Sequence, residues 1–414
     1  MFHLFINMLG WALGLLLRLK MLIVFGRPWM PRNPTCEKTV ILIRDDALGD
    51  AIISLYAFRL LYEYFHQRGY KLILVHSPKT RELFADCPYF SEKIEVPSRP
   101  SNSFYRKLSG YHAEIAVRMP SIFGSAASSL FLTIFTNAKR RIALRPRQIS
   151  DKSSAQYLKV TPRPGIIRNF CDRLLTKRQK LQILDSLRYD LLLKYFTEIL
   201  TPPRQITTVS QNEALIVSHL TGTAVPPGLQ TPFWLDTGIE SVKALPANAY
   251  LIVAGCGGRE RTWPEENFAK LIDLIYRQNN LLIPVFVGTA SEASIARDVC
   301  AKLTAPLEPI NRCGQTTLSQ LLQYIRESKF VISNDTGTSH LAASIGQQTA
   351  IILGGGHYGI YAPNPLYHNT TVIANQDWQC IHCNWLCHKM QDGRFPCICN
   401  ISPESVFDSI RKWL

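Results

Sequence analysis

Short runs of apolar residues alternate with amphipathic stretches through most of this chain. The runs typical of buried strands lie at residues 38–44, 71–75, 94–96, 113–118, 140–144, 249–254, 281–288, 330–333 and 350–353. Helical patterns lie at residues 51–65, 121–136, 186–200, 289–300, 317–326 and 403–414. Strands that alternate with helices predict parallel α/β sheets. Ligands of such sheets bind at the carboxyl ends of the strands.

The N-terminal residues 4–25 are strongly apolar, although two basic residues interrupt them. The uncharged run before Arg18 is shorter than the ~20 residues that span a bilayer. Trp11 and Trp29 are suited to the level of lipid headgroups. Residues 1–35 are therefore predicted to be an interfacial anchor on the cytoplasmic face of a membrane. The alternative is a helix that packs on its own domain.

The composition indicates a globular protein with an anionic partner. A chain of 414 residues with 46% hydrophobic residues fits two domains of about 150–200 residues each. The formal charge of +15 favours a nucleic acid, an acidic membrane surface or a phosphorylated ligand. A solubility charge spread over the surface is the alternative. Because motifs of nucleic-acid-binding folds are missing from the sequence, we expect no nucleic-acid partner.

One acidic residue, Asp50, opens the helix that follows the first predicted strand. It is therefore placed at the carboxyl end of a strand, where a ligand or a reacting group would lie. A carboxylate at a helix N-terminus can also cap the helix or complement its dipole, which contributes about 0.3–1 kcal/mol. The first half of the chain alone leaves both interpretations open.

A glycine-rich loop follows the strand predicted at residues 249–254. It contains Gly257, Gly258 and Arg261, and Pro264 suits the first turn of the next helix. Glycines leave backbone N–H groups free to bind an anion, and Arg261 adds positive charge. The loop is not a Walker loop, because it lacks the Gly-Lys-Ser/Thr ending.

A second turn of this kind follows the strand at residues 330–333. It contains Asp335, Thr336 and Gly337, and a helix of small residues follows it. Small residues let the backbone approach a diphosphate, and the helix N-terminus supplies N–H donors. Between the two turns, Glu292 is placed either to bind ribose hydroxyls or to act as an ordinary first-turn acid.

The cysteines cluster near the C-terminus. Of 11 cysteines, the candidate ligands of a metal are Cys380, Cys383, Cys387 and Cys397. Four nearby thiolates suit a structural zinc, whereas disulfides and free thiols are the alternatives. A zinc there would hold the tail and take no part in catalysis.

These segments together resemble the family 9 glycosyltransferases, the heptosyltransferases of lipopolysaccharide core assembly. The resemblance lies in RDDALGDAI, GRERTWPEENFAKLI, GTASE and SNDTGTSHLAA, and it spans roughly residues 39–410. It implies a GT-B fold, in which two Rossmann-like domains have a cleft between them. It also implies inverting transfer of a heptose from ADP-heptose to a lipopolysaccharide lipid A-core acceptor, without a cofactor or a metal in catalysis.

The resemblance implies a role for each matching residue. Asp50 matches the general base, Arg261 matches a basic residue that contacts the donor diphosphate, and Glu292 matches the acid that holds the ribose. The implied donor-binding residues at the second turn are Asp335, Thr336, Gly337, Thr338 and His340. In the glycine-rich loop, which is the first turn, they are Gly257 and Gly258.

The sequence departs from the family at several donor-side positions. Arg replaces the usual Lys at 261, Cys-Gly-Gly stands at residues 256–258, and Gly-Gly-Gly-His stands at residues 354–357. A GT-B transferase that uses another nucleotide sugar in O-antigen or capsule synthesis is therefore the alternative. A non-catalytic basic protein that binds nucleic acid or membrane is the alternative of another class.

The resemblance also implies an anionic partner for the basic residues of this chain. Residues 139–180 are rich in Lys and Arg, and a phosphorylated lipid acceptor at the bacterial inner membrane would pair with them. The candidate acceptor contacts are Arg118, Arg140 and Arg141; a solvated basic face is the alternative. The predicted division is an N-terminal segment 1–35, an acceptor-side domain 36–245 with a basic helical insertion, a donor domain 246–385 and a Cys-rich tail with a helix 386–414.

Overall fold

The computed structural model describes six stretches of the chain: residues 36–120, 126–145, 192–203, 208–225, 244–375 and 393–414. It also describes the single residues Leu15, Leu16, Leu19, Lys20, Ile23, Trp234, Ile381, Trp385 and Met390. Contacts divide the chain into a first unit, Met1–Ala47 with Ala57–Val225, and a second unit, Leu48–Tyr56 with Pro226–Leu414.

The first unit is built on a parallel six-stranded sheet. Its strands are β1 (Glu37–Arg44), β2 (Lys71–His76), β3 (Glu92–Glu95), β4 (Ala113–Arg118), β5 (Arg140–Leu144) and β6 (Glu198–Leu200). The spatial order in the described residues is β3-β2-β1-β4-β5-β6, which is the doubly wound order of a Rossmann sheet. The central strand β1 is buried along six consecutive residues, because helices cover both faces of such a sheet.

Helices connect these strands. They are α1 (Leu48–Ile53), α2 (Leu55–His66), α3 (Arg81–Phe84), α4 (Asn102–Ser109), α5 (Ala126–Phe135) and α6 (Val209–Thr221). The first of them, α1, groups with the second unit although it directly follows β1.

Strand β6 corrects the helix predicted at residues 186–200. Its residues pair in parallel with β5, in the register Ile142↔Glu198. Glu198 also accepts two hydrogen bonds from the Arg140 guanidinium, at 2.7 and 2.9 Å. Pairing at the sheet edge thus overrides a local helical preference. Residues 186–191 lie outside the described part.

Helix α6 lies in the stretch that the sequence assigned to the connection between halves. Thr208 and Gln211 form a capping box at its start, and Gly222 ends it with a φ of 73°. Glu213 of this helix is fully buried and lies 3.4 Å from the buried guanidinium of Arg44 in β1. This ion pair joins α6 to β1 within the first unit, which extends to Val225.

The second unit repeats the same sheet order. Its strands are β7 (Ala249–Val253), β8 (Ile283–Phe286), β9 (Ile310–Asn311), β10 (Val331–Asn334), β11 (Thr349–Ile352) and β12 (Thr370–Ile373). They are all parallel in the order β12-β11-β10-β7-β8-β9. The short edge strands β9 and β12 were not predicted. The two Rossmann-like sheets are confirmed.

The helices of the second unit include the C-terminal tail. They are α7 (Glu265–Gln278), α8 (Ala293–Cys300), α9 (Leu318–Glu327), α10 (Gly337–Ser344), α11 (Pro396–Cys399) and α12 (Pro403–Ile410). Ile398 and Val406 of the last two are buried in the core of this unit, and Nε1 of Trp263 donates to the carbonyl of Ile401 at 2.9 Å. The tail described here therefore packs with the second unit and is not a separate domain.

Most of the predicted membrane anchor lies outside the described residues. Among the residues that are described, no helix has the length and the apolar character that a membrane span requires.

We expect Arg44→Ala to lower the free energy of unfolding by about 3–5 kcal/mol, because it removes a buried cation beside a buried carboxylate. Urea unfolding of the intact protein measures this loss. The matched control is Arg59→Ala, which breaks an exposed pair with Glu63 at 2.7 Å that contributes about 0.3–0.5 kcal/mol. Equal losses in the two variants would contradict a structural role for the buried pair.

Candidate functional site

An asparagine joins the two turns of the second unit. Asn334 ends β10, and its Nδ2 donates to the carbonyl of Ala254 at 2.7 Å, just beyond β7. Its Oδ1 accepts the backbone N–H of Trp263 at 3.1 Å. Because β7 and β10 are neighbours in the sheet, these bonds hold the glycine-rich loop and the Asp335 turn side by side.

The glycines of the first loop make room for the protein's own charged side chains. A Cβ on Gly255 would collide with the carboxylate of Glu292, and a Cβ on Gly257 would lie 2.8 Å from Nη2 of Arg261. A Cβ on Gly258 would lie 2.5 Å from Oε1 of Glu260. Arg261 and Glu292 therefore both lie against this loop, and their roles as donor-side residues stay predictions.

Glu292 has a local structural task as well. Its Oε2 accepts the backbone N–H of Thr289 at 2.6 Å and the hydroxyl of Thr289 at 3.0 Å, in a capping box before α8. Glu292 therefore acts as an ordinary first-turn acid, which was one of the two interpretations of this residue from the sequence. The carboxylate also lies against Gly255, so it borders the glycine-rich loop.

Arg261 lies at the end of a short 3₁₀ turn, Arg259–Arg261. Its guanidinium lies 6.0 Å from the ring centre of Trp385, within the range of a cation–π contact. Its Nε atom is buried and makes no hydrogen bond among the described residues, and the nearest carboxylate oxygen, Oε1 of Glu260, is 3.9 Å away. The guanidinium therefore keeps donors for an anionic ligand.

The Asp335 carboxylate receives a hydrogen bond from each of two histidines. Nε2 of His340 lies 3.1 Å from Oδ1, and Nδ1 of His357 lies 2.7 Å from Oδ2. Burial raises the pKa of Asp335, but the hydrogen bonds from His340 and His357 outweigh it and hold the pKa far below its ordinary value. The carboxylate is therefore ionised at neutral pH.

The start of α10 supplies free N–H groups next to this carboxylate. Thr336 and Ser339 form a capping box, in which each backbone N–H donates to the other's hydroxyl, at 3.1 and 3.3 Å. The backbone N–H groups of Gly337 and Thr338 come in the first turn, where a helix has no internal acceptors for them. A phosphate group is a suitable acceptor for both.

Asp50 lies in α1, which packs against α10 within the second unit. A Cβ on Gly49 would lie 3.4 Å from Cα of Gly337 and 3.4 Å from Cδ2 of His340. The residue before Asp50 thus touches the donor-side helix start. Asp50 and the Asp335 turn therefore lie near each other, whereas the role of Asp50 as a base stays a prediction.

The three predicted acceptor residues lie in the first unit and already have protein partners. Arg118 is buried at the end of β4. Arg140 forms the bidentate pair with Glu198. Arg141 is buried and donates to two backbone carbonyls, and burial lowers its pKa to about 10. A phosphate contact from these side chains would require exchange of those bonds. Residues 146–180 of the basic stretch lie outside the described residues.

The predicted metal site falls largely outside the described residues. Cys380, Cys383 and Cys387 are not described, whereas Cys397 is buried in the core of the second unit. Among the residues that are described, no three His, Cys, Asp or Glu side chains are grouped as a metal site requires. The structural zinc stays a prediction.

Two side chains of the site were missed by sequence reasoning. His357 was noted only as part of a departure from the family, and Trp385 was not assigned. Trp385 packs on the loop after β11, where a Cβ on Gly354 would lie 2.5 Å from its ring. The run of three glycines before His357 was the available signal, because such a run indicates close approach of another group.

Comparison with known proteins is consistent with this geometry. Residues 212–390 match the family model for glycosyltransferase family 9 (heptosyltransferase). The lipooligosaccharide heptosyltransferase 2 of Haemophilus influenzae is 24% identical over 169 residues, which cover 39% of this chain and 47% of that protein. The chain thus spans about half the length of the curated relatives it matches.

Two solved structures show the fold. The E. coli ADP-heptose lipopolysaccharide heptosyltransferase II has a TM-score of 0.60 at 17% identity, over 90% of this chain and 98% of that one. The E. coli heptosyltransferase WaaC with ADP has a TM-score of 0.54 at 14% identity, over 90% and 97%. With its two six-stranded parallel sheets, the protein has the GT-B fold. Over residues 212–390, the chain is similar in sequence to glycosyltransferase family 9.

Proposed function

We propose that this protein is an inverting glycosyltransferase that moves a heptose from ADP-heptose to a phosphorylated lipid A-core acceptor of lipopolysaccharide. The match of residues 212–390 to the family 9 model supports glycosyl transfer. The names of the relatives, a lipooligosaccharide heptosyltransferase and an ADP-heptose heptosyltransferase, support the sugar and its nucleotide.

The observation that carries the proposal is the packing of α1 on α10. Gly49, the residue before Asp50, lies against Gly337 and His340 at the start of α10. Transfer with inversion needs a base for the acceptor hydroxyl and a cradle for the leaving diphosphate. Asp50 would supply the base and the start of α10 the cradle, and both lie in the second unit of the chain.

In the reaction, the acceptor oxygen attacks the anomeric carbon while the bond from that carbon to the diphosphate breaks. Asp50 takes the proton of the hydroxyl, which typically accelerates such a step about 10²–10⁴-fold. The negative charge left on the diphosphate is stabilised by Arg261 and by the N–H groups of Gly337 and Thr338, which are oriented before the reaction. Glu292 holds the ribose.

We extend the proposal to a membrane surface. Leu15, Leu16, Leu19 and Ile23 are helical and more than half exposed, from 51% to 61%. Their spacing places them on one face of a helix. The helix is held on the first unit by Lys20, whose Nζ lies 4.6 Å from the ring centre of Tyr105. An apolar face with neighbouring cations suits an anionic lipid interface.

We expect Asp50→Asn to lower turnover about 10²–10⁴-fold while donor affinity stays within a few fold, since the amide keeps the shape but accepts no proton. Turnover is measured with ADP-heptose and a lipid A-core acceptor. The control is Asp86→Asn, at an exposed position of the first unit. Near-normal turnover of the Asp50 variant would refute the assignment of the base.

Arg261→Ala is expected to weaken ADP binding about tenfold or more, because a hydrogen bond to a charged group typically contributes about 1.5–3 kcal/mol. Calorimetric titration with ADP measures the change. The neighbouring Arg259, whose side chain is 78% exposed, provides the matched control in Arg259→Ala. Unchanged affinity in the Arg261 variant would remove it from the diphosphate site.

Substitution of Leu15, Leu16, Leu19 and Ile23 by Glu is expected to reduce co-flotation with phosphatidylglycerol vesicles at least about tenfold, since burial of each aliphatic side chain contributes roughly 1.5–3 kcal/mol. Leu281→Glu, at a 70% exposed position of the second unit, is the control. If the fourfold variant floats like the wild type, this face does not bind the membrane.

A further inference from the structure

The two histidines on Asp335 differ in what their second ring nitrogen does. Nδ1 of His340 lies 3.4 Å from the hydroxyl of Tyr367, so both nitrogens of the buried His340 have a protein partner. His357 uses Nδ1 for Asp335, and its Nε2 makes no hydrogen bond with any described residue. The His357 side chain is 14% exposed, so this nitrogen is left for a ligand.

The His357 ring is held in one orientation. The ring centre of Tyr361 lies 4.7 Å away and that of Trp385 lies 5.2 Å away. Trp385 is itself stacked on Phe395 at 5.0 Å and fills the space over Gly354 that a Cβ would take. With Nδ1–H directed to Asp335, the aromatic contacts and the hydrogen bond together fix the direction of Nε2. Such a preorganised donor loses little entropy when it binds a ligand.

His357 also lies at the edge of the sheet where the donor-side residues meet. It follows β11, which pairs in parallel with β10, so the carboxyl ends of both strands are neighbours. Trp385 contacts both His357 and Arg261, at 5.2 and 6.0 Å. The free N–H groups at the start of α10 follow directly from Asp335, the partner of His357.

We propose that Nε2 of His357 donates a hydrogen bond to the diphosphate of the nucleotide-sugar donor, with Asp335 as its positioning residue. This inference rests on the proposed function and adds a contact that the family resemblance does not supply, because residues 354–357 depart from the family pattern. When Nε2 carries a proton, the positive charge of the ring is balanced by the ionised Asp335 on one side and by the diphosphate on the other.

Titratable or charged groups face His357 from the elements that pack against it. Asp335 faces Nδ1 from the turn before α10, and His340 faces the same carboxylate from α10. Tyr361 faces the ring from the loop after β11. Arg261 does so indirectly, because its guanidinium contacts Trp385, which in turn contacts His357. A neutral His357 with its proton on Nδ1 would instead present an acceptor at Nε2, and this would suit a sugar hydroxyl. The protonated ring would therefore bind the diphosphate of the donor, whereas the neutral ring would bind its sugar.

Calorimetry with His357→Asn separates these cases. The Asn amide keeps a donor near the position of Nδ1 for Asp335 but has no group at Nε2. We expect the affinities for ADP and for ADP-ribose to fall together, about tenfold, while the affinity for adenosine stays unchanged. His368→Asn, at an exposed position of the same loop, is the matched control and is expected to bind all three as the wild type does.

Three results would overturn the inference. A loss for ADP-ribose alone would assign Nε2 to a sugar hydroxyl, and an equal loss for all three ligands would show a purely structural role. No loss for any ligand would remove His357 from the site. A parallel series with uridine, UDP and UDP-glucose covers a different base. If the wild type bound no nucleoside diphosphate at all, the proposed function would fail, and the inference with it.

A measurement on the wild-type protein does not depend on the folding of a variant. Diethyl pyrocarbonate modifies accessible imidazole nitrogens, and peptide mass spectrometry reports each site. We expect ADP, but not adenosine, to protect His357, while the modification of His368 is the same in all samples. Equal modification of His357 with and without ADP would contradict a diphosphate contact at Nε2.

Discussion

The Asp335 carboxylate organises the second unit of this protein. It accepts one hydrogen bond from His340 in α10 and one from His357 in the loop after β11. Its own backbone carbonyl lies 4.0 Å from Sγ of Cys256 in the glycine-rich loop. Because one ionised group joins three segments at the carboxyl edge of the sheet, the donor-side residues keep a common geometry. An anionic ligand then meets donors that are already oriented.

Two backbones approach each other closely where α1 meets α10. Gly49 and Gly337 lie so near each other that a Cβ on either would be 3.4 Å from the other's backbone. Helix α1 therefore belongs to the second unit although β1, its neighbour in sequence, belongs to the first. Asp50 directly follows Gly49 and therefore lies near the start of α10.

In the first unit, charged side chains form ion pairs that join distant segments of the fold. Arg44 and Glu213 form a buried pair that joins β1 to α6, and Arg140 pairs with Glu198 at the sheet edge. Composition and charge patterning cannot distinguish such structural arginines from ligand contacts, because both are basic residues near strand ends. Their partners are more than fifty residues away in the chain, and only the tertiary structure brings them together.

The sequence by itself determined the alternating strands and helices, the two glycine-containing turns that follow strands and the positions of Asp50 and Arg261 after strands. These features depend on local periodicity, on glycine and on charge, which neighbouring residues express without help from the rest of the fold. The tertiary structure alone decided that residues 198–200 form a strand, that α1 joins the second unit and that His357 shares Asp335 with His340. Each of these depends on contacts between distant segments, which override local preference.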